Sequence, residues 1–216
     1  MALVRDRFRG PAARMKLDWA VATVPLRGQT ESGDLHLVQA FGGGILVAVV
    51  DALGHGPEAA VAARLAVDCL RGHPHEPLPL LLQRCHEALI GSRGAVVSLA
   101  AFDFQRHSMT WLGVGDVEGV LMFADPTAKP ARTSLITRGG IVGAKIPPSR
   151  PWVIPLSHGD TLIFATDGVR RDFAQAPTPT GEPQKIADSI LARNNKGTDD
   201  ALVLVARYVN ETPSTP

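Results

Sequence analysis

The chain has 216 residues, with 22 lysines and arginines against 21 acidic residues, a formal charge of +1, and 45% hydrophobic against 20% charged residues. That balance fits one domain with a sizeable core and excludes a disordered or histone-like protein; the near-zero charge argues against broad electrostatic attraction to nucleic acid or an anionic membrane. The longest apolar run, Ile45 to Val50, falls far short of the roughly 20 residues that cross a bilayer.

Met1 to Lys16 is rich in arginine (Arg5, Arg7, Arg9, Arg14) but lacks the apolar stretch of a secretory signal, so residues 1–16 are expected to form a flexible N-terminal tail. Leu17 to Val24 reads as a strand, Pro25 to Gly33 as a turn and Leu35 to Phe41 as a second strand, which together predict a hairpin. After the reversal at Gly42 to Gly44, the run Ile45 to Val50 is so continuously apolar that both its faces should be covered, as in a central strand.

Beyond Gly56 the period changes to that of a helix. Pro57 suits a first helical position, Glu58 suits the positive end, and Ala59, Ala62, Ala63, Ala66, Val67 and Leu70 recur at helical spacing until Gly72. A proline-rich loop leads to a second apolar helix, Leu80 to Ile90, expected to pack antiparallel to the first. Cys69 and Cys85 fall in these two helical patterns. Buried thiols are their expected state, with a disulfide as the alternative, and two cysteines in a chain this long point to a reducing cytoplasm.

Ala95 to Phe104, Ser108 to Val114 and Val117 to Phe123 predict an antiparallel meander. Glycines and prolines make Ile136 to Trp152 mostly loop, before a strong strand from Thr161 to Thr166. Lys185 to Arg193 predicts a short amphipathic helix and Ala201 to Val209 the last strand, leaving residues 210–216 as a polar tail. Helices segregated from strand runs give an α+β class. The glycine triplet precedes a strand, whereas the dinucleotide-binding fingerprint follows one, so a Rossmann-type reading fails.

The informative feature is aspartate where strands meet loops: Asp51 after Val49 and Val50, Asp167 after Phe164 to Thr166, Asp199 and Asp200 before Ala201, and Asp34 before Leu35. One such residue is ordinary turn chemistry. Several brought together would repel and raise one another's pKa, which a bound cation relieves. Oxygen ligands without a nearby Cys or His cluster favour Mg²⁺ or Mn²⁺ over zinc, and a bridging carboxylate lets two ions share the site.

The stretch VAVVDALGHGPEAAVAARLAV, then GVGD at Gly113 to Asp116, FATDGV at Phe164 to Val169 and GTDDALVLVARY near the end resemble the metal-dependent protein phosphatase 2C family. They are most similar to its small bacterial branch, which includes the sporulation phosphatase and RsbX-like stressosome phosphatases. The resemblance spans about residues 17–209, which it marks as the catalytic domain. It implies an αββα sandwich of two largely antiparallel β-sheets flanked by helices. It also implies a catalytic and metal set of Asp51, Asp167 and Asp199, with Asp34 reaching the first ion or its waters, the Ala52 carbonyl as a further ligand, and Asp51 bridging two Mn²⁺ or Mg²⁺ ions. Asp200 is a weaker candidate, because many relatives carry asparagine there.

The implied reaction is phosphoserine or phosphothreonine hydrolysis by a metal-activated water. An aspartyl-nucleophile phosphatase would need a second Asp two residues after Asp51, where Leu53 stands. The same Leu53 replaces a histidine proposed as general acid in animal relatives; His55 is near but displaced, and Arg27 is a possible phosphate-holding arginine. The resemblance further implies a phosphorylated STAS-domain substrate in a stress-signalling complex. A catalytically inactive phosphoprotein-binding module and a small-molecule phosphomonoesterase are the alternatives. Asp116 is a secondary candidate, either near the metals or in a hairpin between two strands; the His73, His75 and Glu76 tract is read as a solvated turn, and Trp19, Trp111 and Trp152 as core or rim packing.

Overall fold

The computed structural model describes residues 17–175 and 180–209; the two expected tails, 1–16 and 210–216, lie outside the described residues. Ten strands and three α-helices follow in the order β1 (Leu17–Val24), β2 (Asp34–Phe41), β3 (Gly44–Ala52), α1 (Pro57–Gly72), α2 (Leu78–Leu89), β4 (Ala95–Asp103), β5 (Ser108–Val114), β6 (Glu118–Met122), β7 (Arg132–Leu135), β8 (Trp152–Pro155), β9 (Thr161–Ala165), α3 (Pro183–Asn194) and β10 (Ala201–Tyr208). They build two five-stranded sheets, ordered β1-β10-β9-β6-β7 and β2-β3-β4-β5-β8, with every strand pair antiparallel.

Strand alternation explains the layering. In β3, Leu46, Ala48 and Val50 face α1 and α2, while Ile45, Val47 and Val49 enter the core between the sheets. In β10, Leu202, Leu204, Ala206 and Tyr208 point into that same core, and Ala201, Val203 and Val205 pack with Ile186, Ala187, Ile190 and Leu191 of α3. The layers therefore run helix pair, sheet, sheet, helix, the αββα sandwich expected from the resemblance. Phe102, Phe164 and Tyr208 fill the space between the sheets with side chains less than 2% exposed. Each such burial stabilises the fold by roughly 1.5–3 kcal/mol.

Two sequence readings are corrected. β1 and β2 form no hairpin: β1 pairs with β10 and β2 with β3, in different sheets. The meander also breaks, since β5 stays with β4 while β6 joins β9 in the opposite sheet. Both connections cross from one layer to the other at the same end of the sandwich. The short edge strands β7 and β8 were not expected.

Candidate active site

The strands deliver five aspartates to that end. Asp34 opens β2 and stands directly opposite Asp51 near the end of β3, a pairing fixed by the β2–β3 register. Asp167 follows β9 and Asp199 precedes β10, neighbours in the other sheet. Asp116 lies on the β5–β6 crossing between the sheets. The cluster is linked electrostatically: Asp51 feels Asp167, Asp116 and Asp199, and Asp34 feels Asp51, Asp200 and Asp167.

Burial grades across the cluster. Asp34 is 3% exposed, Asp51 and Asp199 are half-buried, and Asp116 and Asp167 are at the surface. Burial and the neighbouring Asp51 carboxylate push Asp34 well above the ordinary carboxylate range, opposed by the Thr166 hydroxyl, which donates to its Oδ2 at 2.6 Å. Burial and the charges of Asp167, Asp116 and Asp199 push Asp51 up to about 8, opposed by the Asp167 backbone N–H donating to it. Desolvation, then Asp116 and Asp199, also raises Asp167, while Lys196 and Arg171 act the other way. Lys196 donates through Nζ to the Asp167 backbone carbonyl, a cation at the rim that sequence reading missed because a lysine in a polar loop carries no signal of its own.

The loops are built to hold these positions. The Ala52 N–H donates to the Gly33 carbonyl at 3.1 Å and the Leu53 N–H to the Gly94 carbonyl at 3.1 Å, tying the segment after Asp51 on both sides. Gly54 and Gly56 have φ of 81° and 78°, conformations that L side chains rarely adopt, and they turn the chain into α1. At Gly168 a Cβ would stand 1.9 Å from the Asp200 carbonyl oxygen, so only glycine lets the segment after Asp167 lie against the start of β10.

Asp200 belongs to the framework: it is 2% exposed, and its carboxylate accepts the backbone N–H groups of Leu26 at 2.6 Å and Gly33 at 2.7 Å. Asp116, a secondary candidate left open between a hairpin and a place near the metals, is in the acidic cluster. His55 is exposed on the loop before α1, and Glu76 pairs with Arg84 at 2.6 Å. Trp111 is buried and Trp152 exposed at the edge strand. Beside the aspartates lies a groove of about 890 Å³, bordered by Arg27, Gln29, Asp34, Arg64, Asn195 and Asp199 among others.

Among the described residues, no group of three or more carboxylate, imidazole or thiol side chains is drawn together closely enough for a finished ligand cage. The donor set nonetheless fits a hard cation: it is all oxygen, and it contains a buried carboxylate whose ionisation burial and neighbours oppose.

Residues 42–209 match the family model for stage II sporulation protein E (SpoIIE). The chain belongs to the SpoIIE family. Phosphoserine phosphatase RsbX of Bacillus subtilis (strain 168) is 22% identical over 181 residues, covering 83% of this chain and 89% of that one. A chain from a structure of the bacterial stressosome superposes with a TM-score of 0.81 at 27% identity, over 89% of this chain and all (100%) of that one. RsbX in complex with magnesium superposes with a TM-score of 0.81 at 19% identity, over 95% and 99% of the two chains. The PP2C phosphatase domain of SpoIIE from Bacillus subtilis gives 0.78 at 20% identity, over 91% of this chain and 64% of that one. The two-sheet architecture is thus that of the PP2C phosphatases.

Proposed function

We propose that this SpoIIE-family protein is a metal-dependent phosphoserine/phosphothreonine protein phosphatase. The observation that carries the reading is the convergence of Asp34 and Asp51 from one sheet with Asp167 and Asp199 from the other, beside an open groove. Asp51, Asp167 and Asp199, with Asp34 and the Ala52 carbonyl, are the oxygen donors that would hold Mg²⁺ or Mn²⁺, and Asp51 would be the carboxylate shared if two ions bind. Bound there, such an ion supplies Lewis-acid chemistry, acidifying water and offsetting charge on phosphoryl oxygens.

The chain's own residues do the remaining work. Thr166 and the Asp167 N–H orient Asp34 and Asp51, Lys196 braces the Asp167 backbone, and the groove offers the guanidinium of Arg27 to an incoming phosphate. Among the described residues no helix is long and apolar enough to cross a membrane. Relatives named for RsbX and the stressosome support a phosphorylated STAS-domain protein of a cytoplasmic stress-signalling complex as the substrate, with dephosphorylation resetting the pathway.

Phosphate release from a phosphoserine peptide tests this directly. Turnover is expected with Mg²⁺ or Mn²⁺ and none after chelation. Asp51→Asn and Asp199→Asn should each lose about 100-fold or more, roughly 3 kcal/mol of barrier. Full turnover in both variants would remove these residues from the site. Retention of the peptide without phosphate release would make the protein a binding module, and faster hydrolysis of sugar phosphates or nucleotides than of any phosphoprotein would make it a phosphomonoesterase.

A further inference from the structure

Outside the acidic cluster, the chain's two cysteines, Cys69 and Cys85, lie on the packed α1–α2 helix pair, both as free thiols. On α1, Ala62, Ala66 and Cys69 recur at one-turn spacing, and the Cys85 thiol of α2 lies 3.8 Å from the Ala66 carbonyl oxygen. Cys69 packs against the same buried cluster that contains Cys85. The two sulfurs differ in access: Cys69 is partly exposed and Cys85 is buried.

The end of α1 surrounds Cys69 with polar groups. The His73 Nδ1 lies 3.1 Å from the Cys69 carbonyl oxygen, and Arg84 reaches over from α2 to hold Glu76 in two hydrogen bonds of 2.6 and 3.0 Å. The Cys85 hydrogen bond, then His73 and Arg84, bring the Cys69 thiol down to about 7 against the opposing effects of burial and Glu76, while Cys85 moves upward. One cysteine is therefore a reachable nucleophile and the other a protected partner in the same packed helix pair.

We propose that Cys69 and Cys85 are a peroxide-responsive pair: hydrogen peroxide oxidises Cys69, and Cys85 resolves it to an intramolecular disulfide. In the first step the Cys69 sulfur attacks one peroxide oxygen, the O–O bond breaks, and sulfenic acid and one water result. In the second step the Cys85 sulfur attacks the sulfenic sulfur, its proton leaves with the hydroxyl as water, and the S–S bond forms. The two thiols together lose two electrons and two protons, and peroxide is reduced to two waters. The bond ties α1 to α2 on the outer face of the β3-containing sheet. It thereby fixes the helix that begins a few residues after Asp51.

Treatment of the full chain with hydrogen peroxide should lower the mass of the monomer by two hydrogens. It should also abolish both titratable thiols, join the α1 and α2 peptides in a digest without reductant, and reverse with dithiothreitol. Cys85→Ser should instead stop at a Cys69 sulfenic acid trapped by dimedone, and Cys69→Ser should leave Cys85 reduced in the folded protein. The proposal is overturned if the unmodified protein keeps both thiols, if it links chain to chain, or if it oxidises Cys69 to the sulfinic acid without forming the bond. The mass measurement on the unmodified chain decides the matter even where a variant fails to fold.

Discussion

Two adjacent aspartates, Asp199 and Asp200, have opposite surroundings, because neighbouring residues entering a strand point to opposite sides. Asp199 borders the groove, whereas Asp200 is buried and holds the β1–β2 connection through the Leu26 and Gly33 N–H groups. That connection ends in Asp34, so Asp200 positions one carboxylate of the site while remaining a support. Asp200→Ala leaves two backbone donors without their charged acceptor and should cost on the order of 3 kcal/mol. In a chain of this size, that is a fall in melting temperature of roughly 6–12 °C. Asp199→Asn should unfold within about 0.5 kcal/mol of the parent and lose turnover instead. Thermal melts of the two variants beside their phosphatase rates separate the roles; equal losses of stability would refute the division.

At the scale of elements, the junction between β9 and β10 is the tightest part of the site. Gly168 lacks a positive φ, so its requirement is steric: a methyl group would collide with the backbone of Asp200 at 1.9 Å and approach the Cβ of Ala201 at 3.1 Å. Gly168→Ala should destabilise by roughly 1–3 kcal/mol and displace Asp167 from Asp199, lowering turnover about tenfold or more. Gly72→Ala, where the added methyl meets nothing within 4 Å, is the matched control and should leave rate unchanged. The strand that carries Asp167 was readable in sequence, as were α1 and β3, because long apolar periodicity survives any tertiary arrangement. Pairing was not readable. A turn between two strand patterns suggests a hairpin, yet the segments after β1 and after β5 each cross to the other sheet, a choice set by long-range partners such as β10 and β9. The same ambiguity left Asp116 open between turn chemistry and a place near the metals; as part of a crossing between layers it joins the acidic cluster. The four-residue strands β7 and β8 were invisible because they are edge strands with few buried positions, among proline and glycine.

For the whole molecule, carboxylates from both sheets at one end make metal binding, protonation and folding a single coupled problem. Burial and mutual repulsion raise Asp51 from an ordinary value of 3.8 to about 8 and push Asp34 in the same direction. Without metal, the folded chain therefore binds more protons than the unfolded chain between those limits. The associated stability is fully present below the ordinary carboxylate range and is lost as pH rises through about 8. Divalent cations would compete for the deprotonated oxygens, so their affinity should rise over the same interval, and an ion held there would stabilise the fold by mass action. Calorimetry of chelated protein should show the melting temperature falling from mildly acidic to mildly alkaline pH, and Mg²⁺ or Mn²⁺ should restore it most at the alkaline end. Asp51→Asn should flatten the fall in the chelated protein, because an amide has no proton to lose, and should also reduce the gain from added metal. A metal-free protein that grows more stable with pH across this interval would contradict the electrostatic account of the site, independently of whether the enzyme turns over.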